Sequence, residues 1–174
     1  RIETFLKKVR YLPFVPEIIQ AGKAFVTERV KAPFFCAQLR LLDGQFKNHW
    51  EATFSELRRK LEALNALHPI HIFVMTDLPP GNWSGTYLGD LMSDQERWKI
   101  HSLRDDDEFV VKAAKEVSAL GRNDCTHKKL PEILLYIEET VCSCATLGFV
   151  GTAGSTIAES IELMRKHSAC QMAG

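Results

Sequence analysis

Two short and almost wholly apolar runs constrain the fold more than any other feature of this 174-residue sequence. Residues 34–39 read FFCAQL, and residues 70–75 read IHIFVM. A strand with one face in water alternates apolar and polar residues, whereas continuous apolar runs of this length are typical of strands covered on both faces. We therefore predict two buried strands of a parallel sheet.

Amphipathic segments separate these runs, as the crossover connections of a parallel sheet require. Helices are predicted over residues 1–10, 17–30, 51–67, 105–120, 130–141 and 156–166. Further strands are predicted over 98–104 and 148–150, and loops over 41–50, 78–90 and 121–129. The alternation of strand and helix indicates an α/β fold with a Rossmann-like or flavodoxin-like parallel sheet, in a single domain over residues 1–174.

Charge and motif content exclude several classes of protein. Lys plus Arg and Asp plus Glu both total 22, so no net charge favours nucleic acid or an anionic membrane as a partner. The sequence lacks a P-loop, a G-x-S-x-G elbow and a G-x-G-x-x-G turn after the first strand, which argues against P-loop NTPases, serine hydrolases and dinucleotide dehydrogenases. Apolar runs stay well below the ~18 residues of a membrane span. We expect a soluble fragment, beginning at Arg1, whose targeting segment lies upstream.

The five cysteines are too few and too irregular to predict a disulfide framework, and they leave the redox compartment open. Cys36 lies in the first apolar run, where we expect a small buried thiol. A zinc site would need Cys125, His127, Cys142 and Cys144. The last two are two residues apart in a predicted helix and point to different faces, which disfavours zinc.

Polar side chains follow three of the predicted strands, and ligands of parallel sheets bind at the carboxyl ends of the strands. These side chains are Gln38, Arg40 and Asp43, then Thr76 and Asp77, then Thr152, Ser155 and Thr156. Arg40 offers a planar fork to phosphate oxygens. Gly154 lets the backbone approach a ligand, and the following helix start adds partial positive charge. The pattern therefore predicts a diphosphate site.

Each candidate also has a structural interpretation. Arg40 could pair with Asp43, and Asp77 could cap the turn that follows it. Thr156 with Glu159 matches a capping box, which makes Ser155 the better ligand candidate.

Two other polar groups have weaker functional interpretations. His49 could serve as a general base if it faced the cleft, although a surface or capping histidine is more common; Trp50 beside it could also reach a ligand. Residues 105–108 read DDDE and contain the D-x-D pattern of metal-dependent sugar transferases. Acidic residues in a first helical turn are expected from the helix dipole alone, and we favour that interpretation.

Three segments together resemble the GDP-fucose-dependent protein O-fucosyltransferases, in particular the plant O-fucosyltransferase-like branch. AQLRLLDGQF resembles the family's H-x-R-x-x-D segment, MTD at 75–77 its Thr-Asp strand end, and FVGTAGSTIAES its late strand-turn-helix. The resemblance covers nearly the whole chain and corresponds to the carboxyl-terminal, donor-binding lobe of a two-lobed GT-B enzyme. Gln38 stands where the family has histidine, and an amide cannot shuttle a proton near neutrality.

The resemblance implies metal-independent, inverting transfer of fucose from GDP-fucose to a hydroxyl of a protein or glycan acceptor, without a cofactor. By the same resemblance, Arg40 would bind the pyrophosphate and stabilise the departing GDP. Asp77 would contact the nucleotide, and Ser155 and Thr156 the phosphates. The family is typically Golgi-lumenal, held by an amino-terminal membrane helix absent here, and the Asn82-Trp83-Ser84 sequon is compatible with a lumenal setting.

Two alternatives stay open. One is transfer of rhamnose or another deoxy-sugar to a cell-wall glycan. The other is a non-catalytic α/β module that keeps the nucleotide pocket or only the fold.

Overall fold

The structure, a computed structural model, describes residues 15–64, 66–119, 123–167 and 170, with the backbone alone for 123–132. The helix predicted over 1–10 lies outside the described residues. The strands are β1 (Phe34–Leu39), β2 (Ile70–Thr76), β3 (Trp98–His101) and β4 (Gly148–Gly151). The α-helices are α1 (Pro16–Phe25), α2 (Trp50–Glu62), α3 (Tyr87–Ser93), α4 (Glu108–Ala119), α5 (Asn123–Ser143) and α6 (Thr156–Lys166).

The four strands form one sheet in the order β3-β2-β1-β4, and every neighbouring pair is parallel. All residues of β1 are buried, and β1 has a strand on each side. The predicted Rossmann-like parallel sheet is therefore confirmed. The continuous apolar runs were the correct signal for it.

The strand order contains a topological switch point. From β1 the chain moves through β2 to β3 on one side, and it then returns to place β4 on the opposite side of β1. Gln38 in β1 pairs in register with Met75 in β2 and with Gly151 in β4. In open parallel sheets the crevice beside the carboxyl ends of the two strands at such a point is the usual ligand site.

Residues 32–102 and 145–160 form one compact unit, which contains the whole sheet. Its core lies between the sheet and helices α2 and α3, where burial of the apolar side chains holds α2 and α3 against the strands. Members of this core from the strands are Phe35, Ala37, Leu39, Ile70, Ile72, Val74, Trp98 and Val150. Members from the helices and loops are Leu41, Leu57, Leu61, Leu78, Trp83, Leu88 and Leu91.

A second compact unit comprises the described residues within 1–31, 103–144 and 161–174. It is helical, with α1 packed against α4 and α5. Gly22 allows α1 to approach α5 closely, because a Cβ at this position would lie 2.6 Å from Cγ2 of Thr140. Helix α1 continues as a π-helix over Val26–Val30, which ends where Lys31 adopts the left-handed conformation. The helix predicted over 17–30 is thereby confirmed.

All three predicted loops contain helix, and the loop predicted over 41–50 holds the 3-10 turn Gly44–Asn48 and the first residue of α2. The loop predicted over 121–129 is wrong for residues 123–129, since α5 begins at Asn123 and Pro131 lies inside the helix rather than in its first turn. The loop predicted over 78–90 contains a 3-10 turn at Pro80–Asn82 and the start of α3. Thr86 caps α3 by accepting a hydrogen bond from the N–H of Leu88 at 3.2 Å. A single capping threonine is a weak sequence signal for a helix in a segment rich in proline and glycine.

The cysteines correct two further expectations. Cys144 forms a disulfide with Cys170, so the sequence does contain a disulfide despite the irregular spacing. Cys36 is also disulfide-bonded and is not the free buried thiol that we expected. Cys142 and Cys144 both belong to disulfides, so neither is available as a zinc ligand.

Candidate functional site

The loop after β1 carries Arg40 and Asp43, and side chains from neighbouring elements fix its backbone. From the end of β2, Thr76 donates its hydroxyl to the carbonyl of Leu39 at 2.6 Å. Asp77 accepts from the N–H of Leu41 at 2.7 Å and from the N–H of Leu42 at 3.1 Å. Both carboxylate oxygens of Asp77 therefore hold this loop. The cap on its own following turn, which the sequence suggested, is not what the carboxylate does.

Two more elements hold the same loop. From the end of β4, the hydroxyl of Thr152 accepts from the N–H of Arg40 at 2.9 Å. From the first residue of α2, the indole N–H of Trp50 donates to the carbonyl of Leu41 at 2.5 Å. The loop is thus tied to β2, β4 and α2, which preorganises its backbone before any ligand arrives.

The guanidinium of Arg40 is held in place but remains accessible. Its Nη2 pairs with Asp43, as the structural interpretation suggested, and its Cζ lies 5.6 Å from the centre of the Phe46 ring. The side chain is 29% exposed. Within the described part of the chain, no residue bonds to its Nε or Nη1. Arg40 therefore keeps free donors of a planar fork at the carboxyl edge of the sheet.

The candidate site has two walls: one is the loop after β1 that carries Arg40, and the other is the glycine turn between β4 and α6. Gly154 has a φ of 81°, in the left-handed region where glycine is favoured. A Cβ at Gly151 would overlap Cβ of Ala158, so the first glycine brings α6 close to the sheet. The two glycines therefore serve different purposes: Gly151 serves packing, and Gly154 serves the backbone conformation of the turn.

The helix start is offset by one residue from the predicted capping box. Helix α6 begins at Thr156, and Ser155 precedes it with its hydroxyl accepting from the N–H of Ala158 at 3.5 Å. Ser155 is 1% exposed, whereas Thr156 is exposed. The capping role expected of Thr156 therefore belongs to Ser155. Of the two hydroxyls, that of Thr156 is the one accessible to a ligand.

Gln38 is 3% exposed and bridges β1 to this turn. Its Oε1 accepts from the N–H of Thr152 at 3.1 Å, and its Nε2 donates to the hydroxyl of Ser155 at 3.4 Å. The N–H of Thr152 can only donate, which fixes the orientation of the Gln38 amide. Both ends of the amide are consequently used within the protein.

The two walls face each other at the switch point. Gln45, in the 3-10 turn Gly44–Asn48 after β1, has its Nε2 3.7 Å from the Cβ position of Gly154. Among the described residues, none accepts a hydrogen bond from the N–H groups of Gly154, Thr156 or Ile157. Three free amide donors at a helix start, opposite an arginine, suit an anion with several oxygens.

Sequence reasoning missed Phe46 and Gln45, because a ring beneath an arginine and an amide beside a glycine turn leave no local pattern. Trp50 was considered as a ligand contact, but its indole N–H is used by the loop. His49 is exposed and forms no side-chain cap at the start of α2.

In the acidic run at 105–108, Asp107 has a structural role within the helical unit. Asp107 pairs with Arg29 at 3.4 Å and accepts from the N–H of Phe109 at 3.4 Å, at the start of α4. This is the structural interpretation favoured from the sequence. In the described portion of the chain, no three His, Cys, Asp or Glu side chains are grouped to hold a metal ion. None of the helices in the same portion is long and apolar enough to cross a membrane.

The fold and the switch-point edge define an α/β protein of Rossmann-like topology. The chain is 50% identical to O-fucosyltransferase 30 of Arabidopsis thaliana over 190 aligned residues, which cover 98% of this chain, and this similarity supports the plant O-fucosyltransferase-like family. The chain spans 38% of the length of that relative. No family model matches the chain, and no solved structure matches it.

Proposed function

We propose that the chain is the donor-binding lobe of a GT-B glycosyltransferase that moves fucose from GDP-fucose to a hydroxyl of a protein or glycan. The name of the Arabidopsis relative supports fucosyl transfer, and the whole activity is proposed because the chain spans 38% of that relative. The observation that carries the donor site is that Arg40, after β1, lies next to the turn that leads from β4 into α6 at the switch point, where the N–H of Arg40 donates to the hydroxyl of Thr152.

In this proposal the diphosphate of the donor lies between the two walls. Arg40 takes one phosphate with its free fork, and the N–H groups of Gly154, Thr156 and Ile157 take the other, with the Thr156 hydroxyl beside them. Asp43 keeps the guanidinium oriented, and Gln45 lies where it can reach the ligand. Asp77, Ser155 and Gln38 act by shaping these walls and do not touch the donor.

The reaction proposed is an inverting displacement. The acceptor oxygen forms a bond to the anomeric carbon as the bond from that carbon to the β-phosphate oxygen breaks, and the electron pair leaves with GDP. The acceptor hydroxyl gives its proton to a general base. Arg40 stabilises the negative charge that grows on the departing phosphate, so its contribution is larger in the transition state than in the bound substrate.

No metal is needed in this scheme, because the cationic fork and the helix start supply the positive charge. We also propose that the longer polypeptide acts in the Golgi lumen as a single-pass membrane protein. The exposed Asn82 of the sequon is compatible with that setting.

Isothermal titration of the natural full-length polypeptide with GDP and with UDP tests the donor site. We expect GDP to bind and Arg40→Ala to weaken it by about 10- to 100-fold, the equivalent of about 1.5–3 kcal/mol for charge-assisted hydrogen bonds. Arg97→Ala is the matched control, since Arg97 precedes β3 at the opposite edge of the sheet and stacks 5.2 Å from the Trp98 ring centre.

A well-folded protein that binds neither nucleotide would refute the transferase proposal and leave a non-catalytic module. Turnover of GDP-fucose against protein and glycan acceptors then tests the sugar. Transfer from a rhamnosyl donor in place of GDP-fucose would keep the transferase class and replace the substrate. Manganese-dependent turnover that is lost on substituting Asp106 and Asp107 together would contradict the metal-independent scheme.

A further inference from the structure

Gln38 occupies an unusual position for a residue expected to touch a nucleotide. It is 3% exposed and lies in β1, one of the two strands at the switch point. Both ends of its amide form hydrogen bonds within the protein. A ligand would have to break those bonds to reach it. The carbonyl of Gln38 also accepts from the N–H of Thr152 at 3.1 Å, so the side chain and the backbone of one residue hold the same turn.

The bonds made by Gln38 continue into the helix start. Ser155 receives the Nε2 donor of Gln38 and the N–H of Ala158 on one hydroxyl oxygen, and its own N–H donates to the carbonyl of Thr152 at 3.1 Å. These contacts fix residues 152 and 155, which flank the left-handed Gly154. The direction of the free N–H groups of Gly154 and Thr156 is therefore set from inside the protein.

We infer that Gln38 is a positioning residue, an internal clamp that holds the glycine turn in the conformation that receives the donor diphosphate. The inference rests on the proposed function for the identity of the ligand. It assigns Gln38 no contact with that ligand, in contrast to the expectation from the sequence, and it makes Ser155 the partner through which Gln38 acts.

Hydrogen exchange in the absence of ligand gives the first test. Gln38→Met keeps the length and apolar bulk of the side chain but loses both of its bonds. We expect the amides of Ser155 and Ala158, whose acceptors lie on Thr152 and Ser155, to exchange about tenfold faster in this variant. Amides of β2 should be unchanged. Gln95→Met, at an exposed glutamine before β3, is the matched control. Unchanged exchange at the turn overturns the inference, whether or not the protein binds GDP.

GDP titration gives the second test. If the competent turn is populated about one tenth of the time in Gln38→Met, the apparent dissociation constant rises about tenfold. Ser155→Ala should raise the dissociation constant by a similar factor. The double variant should show the same total rise of about tenfold, because the two residues act as one unit. Losses that multiply to about a hundredfold would indicate that Gln38 touches the ligand independently, which overturns the inference.

Gln38→Glu supplies a readout that a purely structural role would not move. Below the pKa of the introduced carboxyl, its O–H and carbonyl oxygen reproduce the donor and acceptor of the amide. Above that pKa, the contacts can persist but a negative charge lies beside the diphosphate. We expect GDP affinity relative to wild type to recover as the pH falls in Gln38→Glu and to stay low in Gln38→Met. A pH-independent ratio in both variants contradicts the clamp.

A wild-type protein that binds no GDP would refute the proposed function alone, and the exchange experiment would still decide the clamp.

Discussion

Replacing Asp77 with asparagine distinguishes a residue that shapes the site from one that contacts the nucleotide. In the structure the carboxylate accepts from the N–H groups of Leu41 and Leu42, at 2.7 and 3.1 Å. The asparagine side chain has the same shape but a single acceptor oxygen. Its NH₂ group would face one of two N–H donors, so one bond is lost and the other becomes a bond to a neutral group.

The magnitude follows from which N–H is left without a partner. Leu41 is fully buried, whereas Leu42 is 38% exposed and its N–H can turn to water. We expect the amide oxygen of Asp77→Asn to keep Leu41, at a cost of about 1.5 kcal/mol in the free energy of unfolding, one charge-assisted bond. Asp77→Ala leaves both N–H groups without this acceptor and should lower the free energy of unfolding by about 3 kcal/mol.

Urea unfolding with linear extrapolation measures both values, and GDP titration of the same samples measures the effect on the site. Asp90→Asn is the control, since Asp90 is exposed in the first turn of α3 and should change stability by less than about 0.5 kcal/mol. The reasoning is refuted if both Asp77 variants unfold like wild type while GDP affinity is lost. That pattern would mean that the carboxylate serves the ligand and not the loop.

Three further outcomes follow from packing, burial and covalent linkage. Gly151→Ala should cost about 1–3 kcal/mol by thermal unfolding, because the added methyl overlaps Ala158 in α6; an unchanged midpoint would contradict the close approach. Burial, reinforced by two acidic neighbours, raises the pKa of Glu138 well above 4.5, so folding favours its protonated form and stability falls as the pH rises past 4.5. Glu138→Gln should therefore be more stable than wild type at about pH 7 and similar at about pH 4, and equal urea midpoints at both would refute this. Cys170→Ser opens a disulfide that spans 26 positions to Cys144 and should lower the free energy of unfolding in urea by about 3 kcal/mol; an unchanged value would contradict a stabilising cross-link.

The sheet was predictable because its signal is local and redundant. A buried strand must be apolar along its length, so FFCAQL and IHIFVM leave few other folds, and the helices between them complete the crossovers. The disulfide between Cys144 and Cys170 was not predictable, since pairing depends on where the chain brings residues 26 apart. The prediction of where α5 begins was wrong for another reason. The segment GRNDCTHKK has the composition of a loop, and no local signal marks its helix.

The candidate site was predictable in its location and less so in its details. Arg40 and the 152–156 turn follow strands that end at one edge, which the α/β pattern already implies. Which hydroxyl faces outward depends on the residue at which α6 begins, and a shift of one residue exchanges the two roles. In the structure Ser155 caps the helix and the hydroxyl of Thr156 is exposed. Asp77 looked like a ligand contact because a carboxylate at a strand end can face the cleft or brace the neighbouring loop with equal ease. Only the positions of the Leu41 and Leu42 amides decide between the two.

The bond from Trp50 to the carbonyl of Leu41 gives the site a built-in optical probe. Its indole N–H is anchored to the same loop that carries Arg40, so any shift of that loop changes the polarity around the ring and hence its fluorescence. Trp83 and Trp98 are 7% exposed and lie in the core of the sheet unit, where they supply a steady background. We therefore expect a ligand that shifts this loop to change the emission of Trp50, which can be measured without a dye or a tag.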